Sequence, residues 1–201
     1  MSLWLAPEPL VLASKSAVRR AVLDAAGIAV EVKPANVDER VIEAAADTND
    51  PAAISVLLAE AKAKAVAVQV PERVVLGADQ TLSLDGRRFS KPADRGAARA
   101  QLLALRGRTH HLHSGFALLR DGNVLQAGSE TARLTMRSFP DAFIERYLDA
   151  AQDAVTASVG AYQLERIGVH LFERIDGDHF TVLGLPLLPI LAALRRHGFV
   201  A

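Results

Sequence analysis

Cysteine is absent from the 201 residues, which excludes disulfides, thiolate nucleophiles and thiolate-bound metals. Net charge is also missing, since 23 Lys plus Arg balance 23 Asp plus Glu. No global field therefore recruits nucleic acid or an anionic membrane, and any attraction for a polyanion has to be local. Aromatic residues are few, at 5%. No apolar run reaches membrane-spanning length, and "MSLWLAPEPLVLASKS" lacks both the basic start and the long apolar core of a secretory signal. The expectation is a soluble cytoplasmic protein that binds neither a nucleic acid polymer nor a membrane. What is present is ordinary for a globular chain: 50% hydrophobic and 23% charged residues, enough for one core-forming domain over 1–201.

Strand and helix signals alternate along the chain. Pro9–Ala13 reads as a short strand, and Ser16 caps a helix to Ala26 with Val18, Val22 and Ala25 on one face and Gly27 beyond it. "IAVEVKPA" alternates as a strand. Asp50 opens a helix over Pro51–Val68, with Ile54, Leu57, Leu58 and Ala61 as its predicted apolar stripe. "RVVLGAD" reads as a buried strand ending near Gly77, and Asp85-Gly86 as a hairpin turn. A helix over 93–105 follows, then a long hairpin turning at Asp121-Gly122, a helix over 140–150, a further hairpin in "GVHLFERIDGDH" and a closing helix in "LPLLPILAALRRHG". This order predicts an α/β protein with a mixed sheet.

Chemistry concentrates in a few stretches. "LASKSAVRR" places Ser14, Ser16, Arg19 and Arg20 where a strand becomes a helix. Cations in a first helical turn oppose the helix dipole, so an anion such as a polyphosphate is their natural partner. No GxxxxGK[ST] loop occurs, so this is no P-loop, and no GxSxG elbow supports a serine hydrolase. "GADQT" sets Asp79 and Gln80 at a strand end, where α/β proteins place ligands. "VDE" brings Glu39, "FSKP" brings Lys91, and "VGAYQLERIG" brings Glu165 between glycines. In "THHLH", alternation puts His111 and His113 on one face and His110 on the other, which is two imidazoles without a third ligand, too few for a metal.

Taken in order, "LASKSAVRR", "VDE", "LAEAKAKA", "GADQT", "SKP", "GRTHHLHSG", "GAYQLERIG" and "LGLPL" resemble the Maf family of nucleoside triphosphate pyrophosphatases over essentially the whole chain. The resemblance implies an elongated mixed sheet with flanking helices, related to inosine-triphosphate pyrophosphatases, with a cleft between two lobes. It implies hydrolysis of a nucleoside triphosphate to the monophosphate and pyrophosphate, a divalent cation (Mg²⁺ or Mn²⁺) as cofactor, and often a homodimer. By the same resemblance, Ser14, Ser16, Arg19, Arg20, Lys62 and Lys91 hold phosphates, Asp79 accepts a proton, and Glu39 shares a metal site with Asp79. The family commonly has proline where Ala17 stands; its loss affects only preorganisation of the helix start.

Gln80 and Glu165 resemble the branch acting on 7-methyl-GTP, whereas the dTTP and UTP branch more typically carries threonine and glutamine there. A carboxylate can accept both N1–H and N2–H₂ of a guanine edge, which pyrimidines do not present. Val18 departs from the tryptophan often found in the 7-methyl-GTP branch, removing a cation–π contact to the base. The alternatives are a dTTP/UTP pyrophosphatase and a nucleotide-binding regulator of septum formation.

Overall fold

The computed structural model describes residues 3–201; Met1 and Ser2, the first residues of the expected single unit, lie outside them. The chain runs β1 (Leu10–Leu12), α1 (Ala17–Ala25), β2 (Val30–Val32), α2 (Glu39–Ala44), α3 (Pro51–Ala67), β3 (Val74–Leu84), β4 (Arg87–Phe89), α4 (Arg95–Leu105), β5 (Thr109–Arg120), β6 (Asn123–Met136), α5 (Asp141–Ala151) and α6 (Ala154–Ala157). Two 3-10 turns (Val159–Ala161 and Ile167–Leu171), β7 (Phe172–Asp176), α7 (His179–Val182) and α8 (Leu187–Arg196) complete it. The strands form one seven-stranded sheet in the order β2-β1-β3-β5-β6-β7, with β4 also paired to β3. β1 lies parallel to β2 and β3, and the other pairs are antiparallel, so the sheet is mixed.

β3 is the spine, and its alternation sorts the molecule into layers. Val74, Leu76 and Ala78 face a core with α1 and α8, built on Leu23, Ile190 and Leu194. Further along the same face, Leu82 and Leu84 meet a second core containing Leu102, Ile144 and Leu148 of α4 and α5. The opposite face is covered by α3, where Val75 packs with Ala59, Ala63 and Val66.

Local signals start and stop these elements as their chemistry dictates. Asp50 caps α3 by accepting from the amides of Ala52 and Ala53, and Ser16 caps α1 by accepting from that of Arg19. Asp85-Gly86 and Asp121-Gly122 both take positive φ between paired strands, as tight hairpins need.

Four expectations are corrected. β3 does not end near Gly77 but continues to Leu84, because Gly77 serves a close approach: a Cβ there would lie 2.0 Å from the Ala59 carbonyl oxygen of α3. Gly115 on β5 plays the same part, facing the backbone of Ser55. The helix this admits buries Ile54, Ser55, Leu58, Ala59, Ala63, Val66 and Ala67, not Leu57 or Ala61; its alanines are the packing surface. Finally, "GVHLFERIDGDH" is no hairpin. It is a 3-10 turn followed by the single strand β7, which pairs with the distant β6. In α1, Leu23 is buried beside Val22 while Ala25 is exposed.

Candidate active site

Pairing along one edge of β3 is interrupted. β1 pairs with Val75 and Leu76, and β4 with Leu82 to Leu84, leaving the stretch around Ala78–Thr81 without a strand neighbour on that side. The side chain of Arg19 fills this gap. After β1 ends at Leu12, Ser16 starts α1 and directs Arg19 back over the strand end. Its Nε donates to the Gly184 carbonyl at 2.8 Å, and Nη1 donates to the Ala78 carbonyl at 2.7 Å and to Ser14 Oγ at 3.1 Å. Those bonds use three of five N–H groups, so both protons of Nη2 remain for a ligand. Burial works against the charge on Arg19, and the carboxylates of Asp79 and Glu39 counter it. Ser14 Oγ also accepts from the Ser16 amide at 3.3 Å, which leaves its own proton to donate outward.

On the α3 face of the same gap stands Asp79, only 7% exposed. Its Oδ1 accepts from Lys62 Nζ. Lys62 also reaches Glu39 Oε1 at 2.6 Å, so one ammonium joins two carboxylates from three elements. Asp38 makes this possible by capping α2, accepting from the amides of Arg40 and Val41 and fixing Glu39 in the first turn. Burial pushes the Glu39 carboxyl up, but the Lys62 hydrogen bond and the charges of Lys62, Lys91 and Arg19 outweigh it and hold it below the usual range. An open cavity of about 600 Å³ lies against Asn36–Arg40, beside Glu39.

The fold thus gathers Ser14, Arg19, Lys62, Asp79 and Glu39. Lys91 is exposed and joins by its field on Glu39. Arg20, one position round α1, points outward, 59% exposed, and pairs with Asp24 at 3.3 Å. Ser16 is spent on the cap, and Val18 is half-buried. Glu165 is exposed in the loop between the two 3-10 turns, without a hydrogen bond or ion pair among the described residues. Gln80 faces away from Asp79, and its amide nitrogen lies within 3.1 Å of Ser114 Oγ and the Thr181 and Val182 carbonyls. The sequence does not single out Thr181 or Gly184; "LGLPL" contains Gly184 but stops short of Thr181, and a carbonyl acceptor leaves no trace in side-chain chemistry.

The histidines are engaged by neighbours. His113 bonds Ser83 Oγ and Thr131 Oγ1, each at 2.9 Å, and His111 stacks on it. His110 is fully buried on the other face, its Nε2 2.7 Å from Tyr162 OH, and burial lowers its pKa to about 4.

Glu39 and Asp79 are a fitting pair for a hard cation. Both already turn oxygens to one positive group, and among the described residues no set of three His, Asp or Glu gathers to enclose an ion. Two carboxylates with the rest of the shell left to phosphate and water oxygens suit Mg²⁺ or Mn²⁺.

The Maf-like protein family matches residues 9–197. A nucleoside triphosphate pyrophosphatase of Rhodopseudomonas palustris is 53% identical over 201 residues, covering 100% of both chains. One of Nitrobacter hamburgensis is likewise 53% identical over the full length of both. A 7-methyl-GTP pyrophosphatase of Mesorhizobium japonicum is 50% identical over 195 residues, 96% of this chain and 98% of that one. Among solved structures, a HAM1 protein from Coxiella burnetii overlaps 65% of this chain and 74% of its own, at 18% identity and a TM-score of 0.43.

Proposed function

Since the chain belongs to the Maf family, we propose that it hydrolyses the α–β phosphoanhydride of a nucleoside triphosphate, with 7-methyl-GTP as the preferred substrate. It is a hydrolase of phosphoanhydride bonds. The observation that carries the reading is the convergence of Arg19, Lys62 and Ser14 on the gap beside Asp79 and Glu39.

Hydrolysis of a triphosphate is governed by charge, since the transition state spreads negative charge over phosphoryl oxygens. The Nη2 protons of Arg19 and the hydroxyl of Ser14 are unspent donors at one side of the gap. Held by three acceptors, the guanidinium needs little reorganisation to meet phosphate. Lys62 brings a second cation, and Lys91 extends the positive field toward Glu39. Asp79 Oδ1 is engaged by Lys62, while Oδ2 has no partner among the described residues. Oδ2 is therefore the atom that takes a proton from water as its oxygen bonds to phosphorus and pyrophosphate departs. A divalent ion held by Glu39 and Asp79 neutralises phosphate charge when bound.

For the base, Glu165 supports the 7-methylguanine reading. It is an exposed carboxylate with its acceptors unspent, matched to N1–H and N2–H₂ and to the cationic ring. The test is kcat/KM for 7-methyl-GTP, GTP, UTP and dTTP, read by pyrophosphate release. The expected order has 7-methyl-GTP first; UTP or dTTP first would move the protein to the pyrimidine branch.

A further inference from the structure

Gln80 follows Asp79 directly, yet the two side chains face opposite sides of β3. On its own side Gln80 stands between Ala78 of the first core and Leu82 of the second, a polar residue where two apolar clusters meet. Its Nε2 lies 3.1 Å from the Thr181 carbonyl, 3.1 Å from that of Val182 and 3.0 Å from Ser114 Oγ. Carbonyl oxygens only accept, so the amide orientation is fixed with nitrogen toward them. Ser114 Oγ is fully buried and donates to the same Thr181 carbonyl at 2.7 Å, so it accepts from Gln80. The chain segment at 181–182 is therefore tied to β3 and β5 by both side chains.

Two residues beyond Val182, the Gly184 carbonyl accepts from Arg19 Nε at 2.8 Å. The same guanidinium is held on its other nitrogen by Ala78, two positions before Gln80 on β3. Arg19 is thus gripped between β3 and a segment that Gln80 and Ser114 clamp to β3. We propose that Gln80 is a positioning residue for Arg19: it sets the Gly184 carbonyl, hence the plane of the guanidinium, and acts on the phosphate end of the substrate rather than on its base. The proposal rests on Arg19 as a phosphate-holding group.

A probe without a base separates the two roles. Inorganic tripolyphosphate is titrated calorimetrically into wild type, Gln80→Leu and Ser114→Ala, with melting curves alongside. kcat/KM is measured for 7-methyl-GTP and UTP. Gln80→Leu should weaken tripolyphosphate by about tenfold, the size of one charge-assisted hydrogen bond. Both kcat/KM values should fall together, their ratio staying within about twofold. Ser114→Ala, the smaller lesion, should shift tripolyphosphate the same way and serves alone if the leucine variant does not fold. In an Arg19→Lys background, Gln80→Leu should add no more than about twofold. Unchanged tripolyphosphate affinity with a shifted nucleotide ratio would overturn the proposal and make Gln80 a base reader. Additive losses in the Arg19→Lys background would overturn it as general destabilisation. Tripolyphosphate binding that survives Arg19→Lys unchanged would instead refute the phosphate role of Arg19 itself.

Discussion

Replacing Gly77 by alanine tests the packing on which the site is built. A Cβ at this position lies 2.0 Å from the Ala59 carbonyl oxygen and 2.9 Å from both the backbone nitrogen and the Cβ of Ala63, where ordinary contact starts near 3.4 Å. The obstruction is helix backbone, which cannot swing aside like a flexible side chain. α3 would have to retreat by about 1 Å or more, breaking contacts of Ala59, Ala63 and Val66, all fully buried. Overpacking of this kind costs about 3 kcal/mol, the upper end of the usual range. In a chain of this size that lowers Tm by roughly 6–12 °C. Lys62 precedes Ala63, so its ammonium is carried off Asp79 and Glu39, and a displacement of about 1 Å in a catalytic group costs on the order of a hundredfold in rate. The assay is calorimetric melting together with kcat/KM. Gly128→Ala is the control, since its Cβ first meets the Phe116 ring at 3.4 Å. A Gly77→Ala protein that melts and turns over like wild type would refute the reasoning.

Other expectations follow from single groups. Glu165→Gln replaces two acceptors by one acceptor and one donor, so kcat/KM for 7-methyl-GTP relative to UTP should fall by about tenfold or more; an unchanged ratio removes Glu165 from base reading. His110 is neutral in the fold because burial drops its pKa from 6.5 to about 4. A base held neutral contributes stability that is present above pH ~6.5 and is lost as pH falls from there toward ~4. Between about pH 7.5 and about pH 5 this amounts to roughly 2 kcal/mol, and urea titrations of His110→Phe should lack that part of the acid decline. Chelation should abolish turnover while leaving the melting curve of the nucleotide-free protein in place, because Lys62 pairs with both Glu39 and Asp79 and the charge of Arg19 balances the second carboxylate. A chelator that unfolds the chain would show a structural metal instead.

Much of the fold was legible because its signals are local. Ser16 and Asp50 cap helices, and two Asp-Gly pairs turn hairpins, wherever the rest of the chain lies. What stayed hidden depends on partners distant in sequence. Gly77 reads as a break until α3 is seen resting on it, and the stripe of α3 is obscured because alanines form the contact. β7 finds its partner in β6 about forty residues earlier, which no local alternation announces. The site divides in the same way. Arg19, Lys62, Asp79 and Glu39 gather as their charges suggest, with the hydroxyl of Ser14 against Arg19. Arg20 differs from Arg19 only in its angle round α1, and "RR" carries no information about which of the two turns inward. That Gln80 turns from Asp79 is plain strand geometry, but its partners Thr181 and Val182 lie a hundred residues on.

The central claim is that Asp79, with Lys62 and Arg19 around it, drives cleavage between the α and β phosphates. The direct measurement is product identity, by ³¹P NMR, from a nucleoside triphosphate incubated with wild type and with Asp79→Asn. Wild type should give nucleoside monophosphate and pyrophosphate in equal amounts. Turnover of the folded Asp79→Asn protein should be lower by at least about a thousandfold if Asp79 is both the general base and a metal ligand, as proposed. Release of orthophosphate with nucleoside diphosphate, or an Asp79→Asn protein as active as wild type, would contradict it.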